Sequence, residues 1–72
     1  MKRLTILREQ RGWTKAELGR QAAMHPSTVG KIENGREVPY PGELAKLARA
    51  LGVRSADANA LMEEVRTSAD WW

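Results

Sequence analysis

The sequence feature that most constrains the fold lies at residues 14–35, TKAELGRQAAMHPSTVGKIENG. This segment contains strong signals for the starts and ends of helices. Thr14 followed three residues later by Glu17 is a capping box, in which the two side chains accept hydrogen bonds from free amides at a helix start. Pro26 is typical of the first position of a helix, where its missing amide hydrogen would have had no partner. The Asn-Gly dipeptide at 34–35 is a strong stop signal. The segment therefore predicts two short helices joined by a turn of three or four residues.

Similar signals divide the rest of the chain. Gly12 follows a first helix-patterned segment, and Pro41 opens a fourth helix that Gly52 ends. Ser55 is placed to cap a fifth helix. No segment alternates with period two for long, so β-strands are not expected. The predicted helices cover residues 2–11, 14–23, 26–34 and 41–51, and a stretch from 55 onward.

Apolar residues in these segments recur at three- and four-residue spacing, which predicts one buried face for each helix. Trp13, just before the Thr14 cap, is expected to staple the start of the second helix to Leu18. His25 is expected to be an exposed turn residue and a weak cap. The predicted apolar positions are Leu4, Leu7, Leu18, Ala22, Val29, Ile32, Leu44, Leu47, Ala48, Leu51, Leu61, Met62 and Val65.

A chain of 72 residues has room for one domain, which we expect to span residues 1–66 ahead of a tail at 67–72. It has no cysteine and a single histidine, so neither a disulfide nor a metal site is expected. It also lacks an apolar run of the roughly 20 residues that cross a membrane. Without such a run, we expect a cytoplasmic protein. No catalytic constellation is present, so we expect a protein that is not an enzyme and takes no cofactor or small-molecule ligand.

Charge is unevenly distributed along the chain. The net charge is +3 and the sequence pI is about 9.8. Residues 1–54 carry eleven basic and five acidic residues, a net charge of +6, whereas residues 55–72 carry −3. A basic segment favours a polyanionic partner, because neutralised phosphates release counterions, but an ordinary solvated surface has the same composition.

Two short helices with a tight turn match the helix-turn-helix layout, in which the second helix lies in the major groove of DNA. Residues 7–53 resemble the XRE/Cro-type helix-turn-helix domains of phage repressors and many bacterial regulators. The resemblance rests on the capped second helix, Ser-Thr-Val at 27–29, Ile-Glu-Asn-Gly at 32–35, the proline loop and LAKLARALGV at 44–53. It implies an all-α, compact five-helix lambda-repressor-like domain, bacterial or phage-encoded, with the helix-turn-helix at helices 2 and 3.

The resemblance also implies roles for individual residues. The positions that contact bases in the family correspond to Pro26, Ser27, Thr28 and Lys31. The positions that bind phosphate correspond to Thr14, Lys15, Asn34, Gly35 and Arg36. Arg8 and Glu33 match a partly buried ion pair that ties the first helix to the end of the base-contacting helix.

The chain departs from the family pattern at several of these positions. Lys15 replaces a glutamine and can bind phosphate only as a point charge. Pro26 can make only apolar contacts with bases. Gly30 either lets the backbone approach DNA closely or is simply tolerated at a cost of about 1 kcal/mol. Ala23 stands where the family often has glycine with positive φ, and Gly19 where it prefers alanine.

Two functions from different classes fit the sequence. The first is a sequence-specific transcriptional regulator that acts by occupying an operator in double-stranded DNA, as a small Cro- or repressor-like protein. The second is a protein-interaction module, antitoxin- or adaptor-like, that keeps the fold and binds a protein partner through its acidic, Trp-ended tail. The terminal tryptophans are expected either to pack within the chain or to form a homodimer contact. The candidate dimer residues are Leu61, Met62, Val65, Trp71 and Trp72.

Overall fold

The computed structural model describes residues 1–65, and its fold is all-α, as predicted. Four α-helices are followed by a 3₁₀ helix, and no β-strand occurs within residues 1–65, where a single bridge pairs Lys2 with Glu64. The elements are α1 (Arg3–Gln10), α2 (Lys15–Gln21), α3 (Pro26–Glu33), α4 (Pro41–Leu51) and the 3₁₀ helix Ser55–Met62. None of the helices in this part of the chain is long and apolar enough to span a bilayer.

One hydrophobic core receives side chains from every helix. The predicted apolar positions from Leu4 to Leu51 are buried, except Leu7, which is half-buried against the core. Leu61 of the 3₁₀ helix is fully buried, and Ala58 joins it. Trp13 and Met62 pack against the edge of this cluster. Because α2 and α3 both bury apolar side chains in the same core, their relative orientation is fixed by packing.

The cap of α2 forms only in part as the capping box predicts. The Thr14 Oγ1 accepts a hydrogen bond from the Glu17 amide at 3.0 Å. The Glu17 carboxylate does not return to Thr14 but accepts from Arg20 and, at 2.8 Å, from Gln21. The bond that Glu17 fails to make has a counterpart at α4, where the carboxylate of Glu43 accepts a hydrogen bond from the Tyr40 amide at 3.0 Å. The prediction of a reciprocal box at α2 is therefore wrong in its second half.

The fifth helix differs from the prediction in its type and in its first residue. It is a 3₁₀ helix whose cap position is Arg54, so Ser55 is its first residue and not its cap. Ala58 and Leu61 are its buried residues, and their three-residue spacing lies along one edge of a 3₁₀ helix. Val65 lies beyond the helix, where its amide donates to the Met1 carbonyl at 2.7 Å.

The turn between α2 and α3 contains an alanine in the left-handed region. Ala23 has φ +56°, and the Met24 amide donates to the Gly19 carbonyl at 2.7 Å while that of Ala23 donates to Arg20 at 3.3 Å. This pair of bonds is a Schellman motif, which usually places glycine at the left-handed position. Glycines occupy the corresponding positions after α1, α3 and α4. The turn therefore keeps the geometry that glycine would adopt, and Ala23 bears the strain.

Ala23→Gly is accordingly expected to raise the free energy of unfolding by about 1 kcal/mol, because glycine adopts positive φ without a Cβ clash. In a chain of this size the melting temperature should rise by about 4–8 °C, which thermal denaturation followed by circular dichroism measures. The matched control is Ala45→Gly, at an exposed position inside α4, which should lower stability by about 1 kcal/mol. A loss of stability at both positions would contradict the assignment of strain to Ala23.

Gly19 has a packing role that the family pattern does not predict. A Cβ at this position would lie 2.6 Å from the Met24 carbonyl oxygen and 3.3 Å from the Pro26 nitrogen. Both atoms belong to the backbone of the turn, which cannot move aside as a flexible side chain would. The absence of a side chain at Gly19 therefore allows the turn to pass directly against α2 and to set the start of α3.

Candidate DNA-binding surface

Helix α3 is anchored by one face and presents another to solvent. Val29 and Ile32 are fully buried in the core. Pro26, Ser27 and Lys31 are exposed, and Thr28 is half-buried. The four residues assigned to base contact thus begin at the amino-terminal end of α3. The three with polar side chains span about one helical turn.

The start of α3 is capped by His25, which the sequence predicts only as an exposed turn residue and a weak cap. His25 is exposed, but its Nδ1 accepts from the Ser27 amide at 3.1 Å and lies 2.8 Å from the Ser27 Oγ. The His25 carbonyl accepts from the amides of Thr28 and Val29 at 3.0 and 3.2 Å. Histidine is an uncommon cap, and the signal for it was its position directly before the proline that begins the helix.

The start of α2 lies beside the middle of α3. A Cβ on Gly30 would come within 3.8 Å of the Lys15 Cδ, an ordinary van der Waals distance. Lys15 is exposed, and neither its amide nor that of Ala16 has an acceptor within residues 1–65. The Lys15 side chain therefore lies beside the α3 surface. The space around Gly30 gives no steric reason for glycine in the free protein.

The turn after α3 is compact and exposed. Gly35 has φ +82°, and the Asn34 Oδ1 accepts from the Arg36 amide at 3.0 Å. The amides of Arg36 and Glu37 also donate to the Lys31 carbonyl, at 2.9 and 3.2 Å. These bonds hold residues 34–36 directly against the last turn of α3, with the Arg36 side chain exposed.

Arg8 and Glu33 form a forked ion pair between α1 and the end of α3. The Arg8 Nε lies 2.7 Å from the Glu33 Oε2, and its Nη2 donates to Oε1 at 3.2 Å. The Nη1 of Arg8 donates to the Trp13 carbonyl at 2.7 Å. The side chains of Arg8 and Glu33 are only 10 and 5% exposed. The pair thus links α1, the segment before α2, and the C-terminal end of α3.

The exposed cations of this surface carry no internal counter-charge. None of the ion pairs among residues 1–65 includes Lys15, Lys31 or Arg36. By contrast, the Glu17 carboxylate is held by Gln21 and Arg20, and these hydrogen bonds lower the pKa of Glu17 below its usual value. That carboxylate therefore stays ionised and attached to Arg20, while the three cations face solvent unneutralised.

The candidate dimer residues fall into different places. Leu61 is fully buried in the core of its own chain, which leaves it no surface for a second copy and corrects its assignment. Met62 and Val65 are half-buried. Trp71, Trp72 and the boundary between domain and tail lie outside the described residues. Within residues 1–65, no three acidic or histidine side chains are grouped closely enough to hold a metal ion.

Comparisons with known proteins give a family and a curated relative. The family described as "Helix-turn-helix domain" matches residues 2–62. A curated relative, "Multiprotein-bridging factor 1" of Schizosaccharomyces pombe, is 33% identical over 52 residues, which are 72% of this chain. The matched segment spans 35% of that relative's length. No solved structure gives a significant match.

Proposed function

This chain belongs to the helix-turn-helix domain family, and we propose that it is a sequence-specific DNA-binding transcriptional regulator that acts by occupying an operator. The observation that carries the proposal is the polar and basic face of α3, which is anchored by two fully buried residues. Its cations have no ion-pair partner among residues 1–65. Such a face meets both requirements of DNA recognition, since base contacts specify the sequence and phosphate contacts position the protein.

In the proposed complex α3 enters the major groove with its amino-terminal end leading. Ser27, Thr28 and Lys31 contact base edges, while Pro26 makes an apolar contact such as one with a thymine methyl group. The phosphate contacts lie on either side of the groove, at Thr14 and Lys15 before α3 and at residues 34–36 after it. Arg8 and Glu33 contact no DNA in this arrangement and hold α3 at its angle to the rest of the domain.

We further propose that the chain binds as a homodimer. One α3 helix offers a short set of hydrogen-bonding groups, because Pro26 and Gly30 contribute none from their side chains. Two copies related by a two-fold axis would contact half-sites about 34 Å apart and gain affinity from their linkage. We propose that its activity is controlled by its own concentration or by a protein partner.

The phosphate contacts are tested by Lys15→Ala. Removing one phosphate contact should weaken binding to all sequences about equally. It should also make the fall of the logarithm of the association constant with the logarithm of salt concentration shallower, by about 1 in slope. Fluorescence anisotropy over a range of salt concentrations measures this slope. Lys46→Ala, at an exposed lysine of α4, is the matched control and should leave the slope unchanged. Equal slopes for both variants would contradict the proposed position of Lys15 on DNA.

The second candidate is a protein-interaction module. It is favoured by the name of the relative, which describes a factor that bridges several proteins. Val38 and Tyr40 are also 82 and 74% exposed in the loop between α3 and α4, where they offer apolar surface to a partner. The two functions differ in which residues they need, because a module of this kind keeps its activity when Ser27, Thr28 and Lys31 become alanine.

A further inference from the structure

The Ser27 hydroxyl contacts the His25 ring before any DNA is bound. The Nδ1 of His25 accepts a hydrogen bond from the Ser27 amide, and a ring nitrogen that accepts carries no proton. The Ser27 Oγ lies 2.8 Å from the same nitrogen. In the tautomer that accepts the amide hydrogen bond, with the ring proton on Nε2, the only hydrogen of the hydroxyl is directed at the imidazole. Ser27 therefore presents the lone pairs of its oxygen to the exposed side.

The backbone at the start of α3 adds no free donor. Pro26 has no amide hydrogen, and the amide of Ser27 is bonded to the His25 ring. The amides of Thr28 and Val29 donate to the His25 carbonyl. A hydrogen-bond acceptor on a base edge would find no unused backbone donor here, whereas a donor on a base would find the Ser27 oxygen.

We propose that His25 is a positioning residue that makes Ser27 an acceptor only, so that Ser27 selects the exocyclic amino group of adenine or cytosine. This inference rests on the proposed function. In the major groove adenine N6 and cytosine N4 donate, whereas thymine O4 and guanine O6 accept. Turning the Ser27 hydroxyl toward a carbonyl breaks its bond to His25. One neutral hydrogen bond corresponds to about a fivefold change in affinity.

The first experiment tests the group that Ser27 contacts. Selection from random DNA with the full chain and with Ser27→Ala identifies the base pair whose preference depends on Ser27. The amino group of that pair is then deleted by placing purine for adenine, or 2-pyrimidinone for cytosine, and affinity is measured by anisotropy. The affinity of the unsubstituted protein for the analogue-containing DNA should fall by about fivefold, whereas the affinity of Ser27→Ala should not change. The analogue that produces the loss identifies the base, and equal weakening of both proteins overturns the assignment.

The second experiment tests the role of His25 by inverting the same base pair, which puts a carbonyl where the amino group was. His25→Asn keeps a capping acceptor, whereas His25→Ala frees the hydroxyl to donate. The full chain and His25→Asn should lose about fivefold in affinity, and His25→Ala less than about twofold. Preferences at pairs contacted by Lys31 should not change in any variant. Circular dichroism fixes a temperature at which all the proteins are folded.

The outcomes separate this inference from the proposed function. The same loss in all three proteins overturns the positioning role of His25 and leaves sequence-specific DNA binding intact. Failure of the full chain to enrich any sequence overturns both. A smaller loss in His25→Ala alone supports the inference, because a purely structural cap would alter affinity for both orientations of the pair equally.

Discussion

Glu33→Ala is expected to lower the free energy of unfolding by about 3–5 kcal/mol, a larger loss than we expect from any exposed residue of the domain. The substitution removes both hydrogen bonds of the forked pair from the Arg8 guanidinium, at a site where only 10% of that side chain is exposed. The Glu9 carboxylate, 54% exposed and 3.8 Å from the Arg8 Nη2, is too distant to replace them as a hydrogen-bond acceptor. A charge that stays desolvated after losing its hydrogen-bonded partner costs far more than the pair contributes when intact. Since a domain of this size has a total stability of roughly 4–11 kcal/mol, much of the population should unfold.

Urea denaturation followed by circular dichroism measures this loss, and two variants control it. Glu37→Ala removes an exposed carboxylate four residues away and should change stability by about 0.5 kcal/mol or less. Replacing both partners, Arg8→Met with Glu33→Leu, should recover most of the loss, because no buried charge is left unpaired. A cost below about 1 kcal/mol for Glu33→Ala would show that the forked pair does not hold α3 to α1.

Changing Ser27, Thr28 and Lys31 together to alanine is expected to abolish sequence-specific binding while the domain stays folded. Each lost base contact should cost about 1–3 kcal/mol, so the preferred site should be bound at least about 100-fold more weakly. None of the three side chains belongs to the core, and alanine is the best helix former. Competition between the preferred site and unrelated DNA, measured by anisotropy, separates this specific loss from residual phosphate binding.

The matched control for this triple variant is on α4. Lys46→Ala with Arg49→Ala removes two exposed cations, one more positive charge than the triple change removes. Specificity should survive in this control, because the two residues lie outside the proposed base-contacting face. If the triple variant kept its preference for the site, α3 would not be the helix that contacts bases, and the protein-interaction function would be favoured.

The helices could be predicted because their ends are encoded by local chemistry. Pro26 and Pro41 begin helices, and Gly12, Gly35 and Gly52 follow helix ends with positive φ. These signals act over a few residues and need no tertiary partner. The buried faces follow from the spacing of the apolar residues in the same way.

The details that the sequence does not predict depend on contacts that are settled only in the folded chain. Glu17 is expected from the capping box to reach back to Thr14, but Arg20 and Gln21 lie on the same helix face and take its carboxylate. The cap by His25 depends on a ring rotamer and tautomer that the sequence does not specify. The need for glycine at position 19 arises from the Met24 carbonyl, which approaches only once the turn has formed.

Enrichment of bound sequences from random double-stranded DNA is the most direct measurement of whether this domain recognises sequence. For the full chain we expect a two-fold symmetric motif whose half-sites are centred about 34 Å, or one helical turn, apart. The triple variant Ser27→Ala, Thr28→Ala, Lys31→Ala should give no motif under the same conditions. No enrichment over background with the full chain at low salt would contradict the proposal that α3 contacts bases.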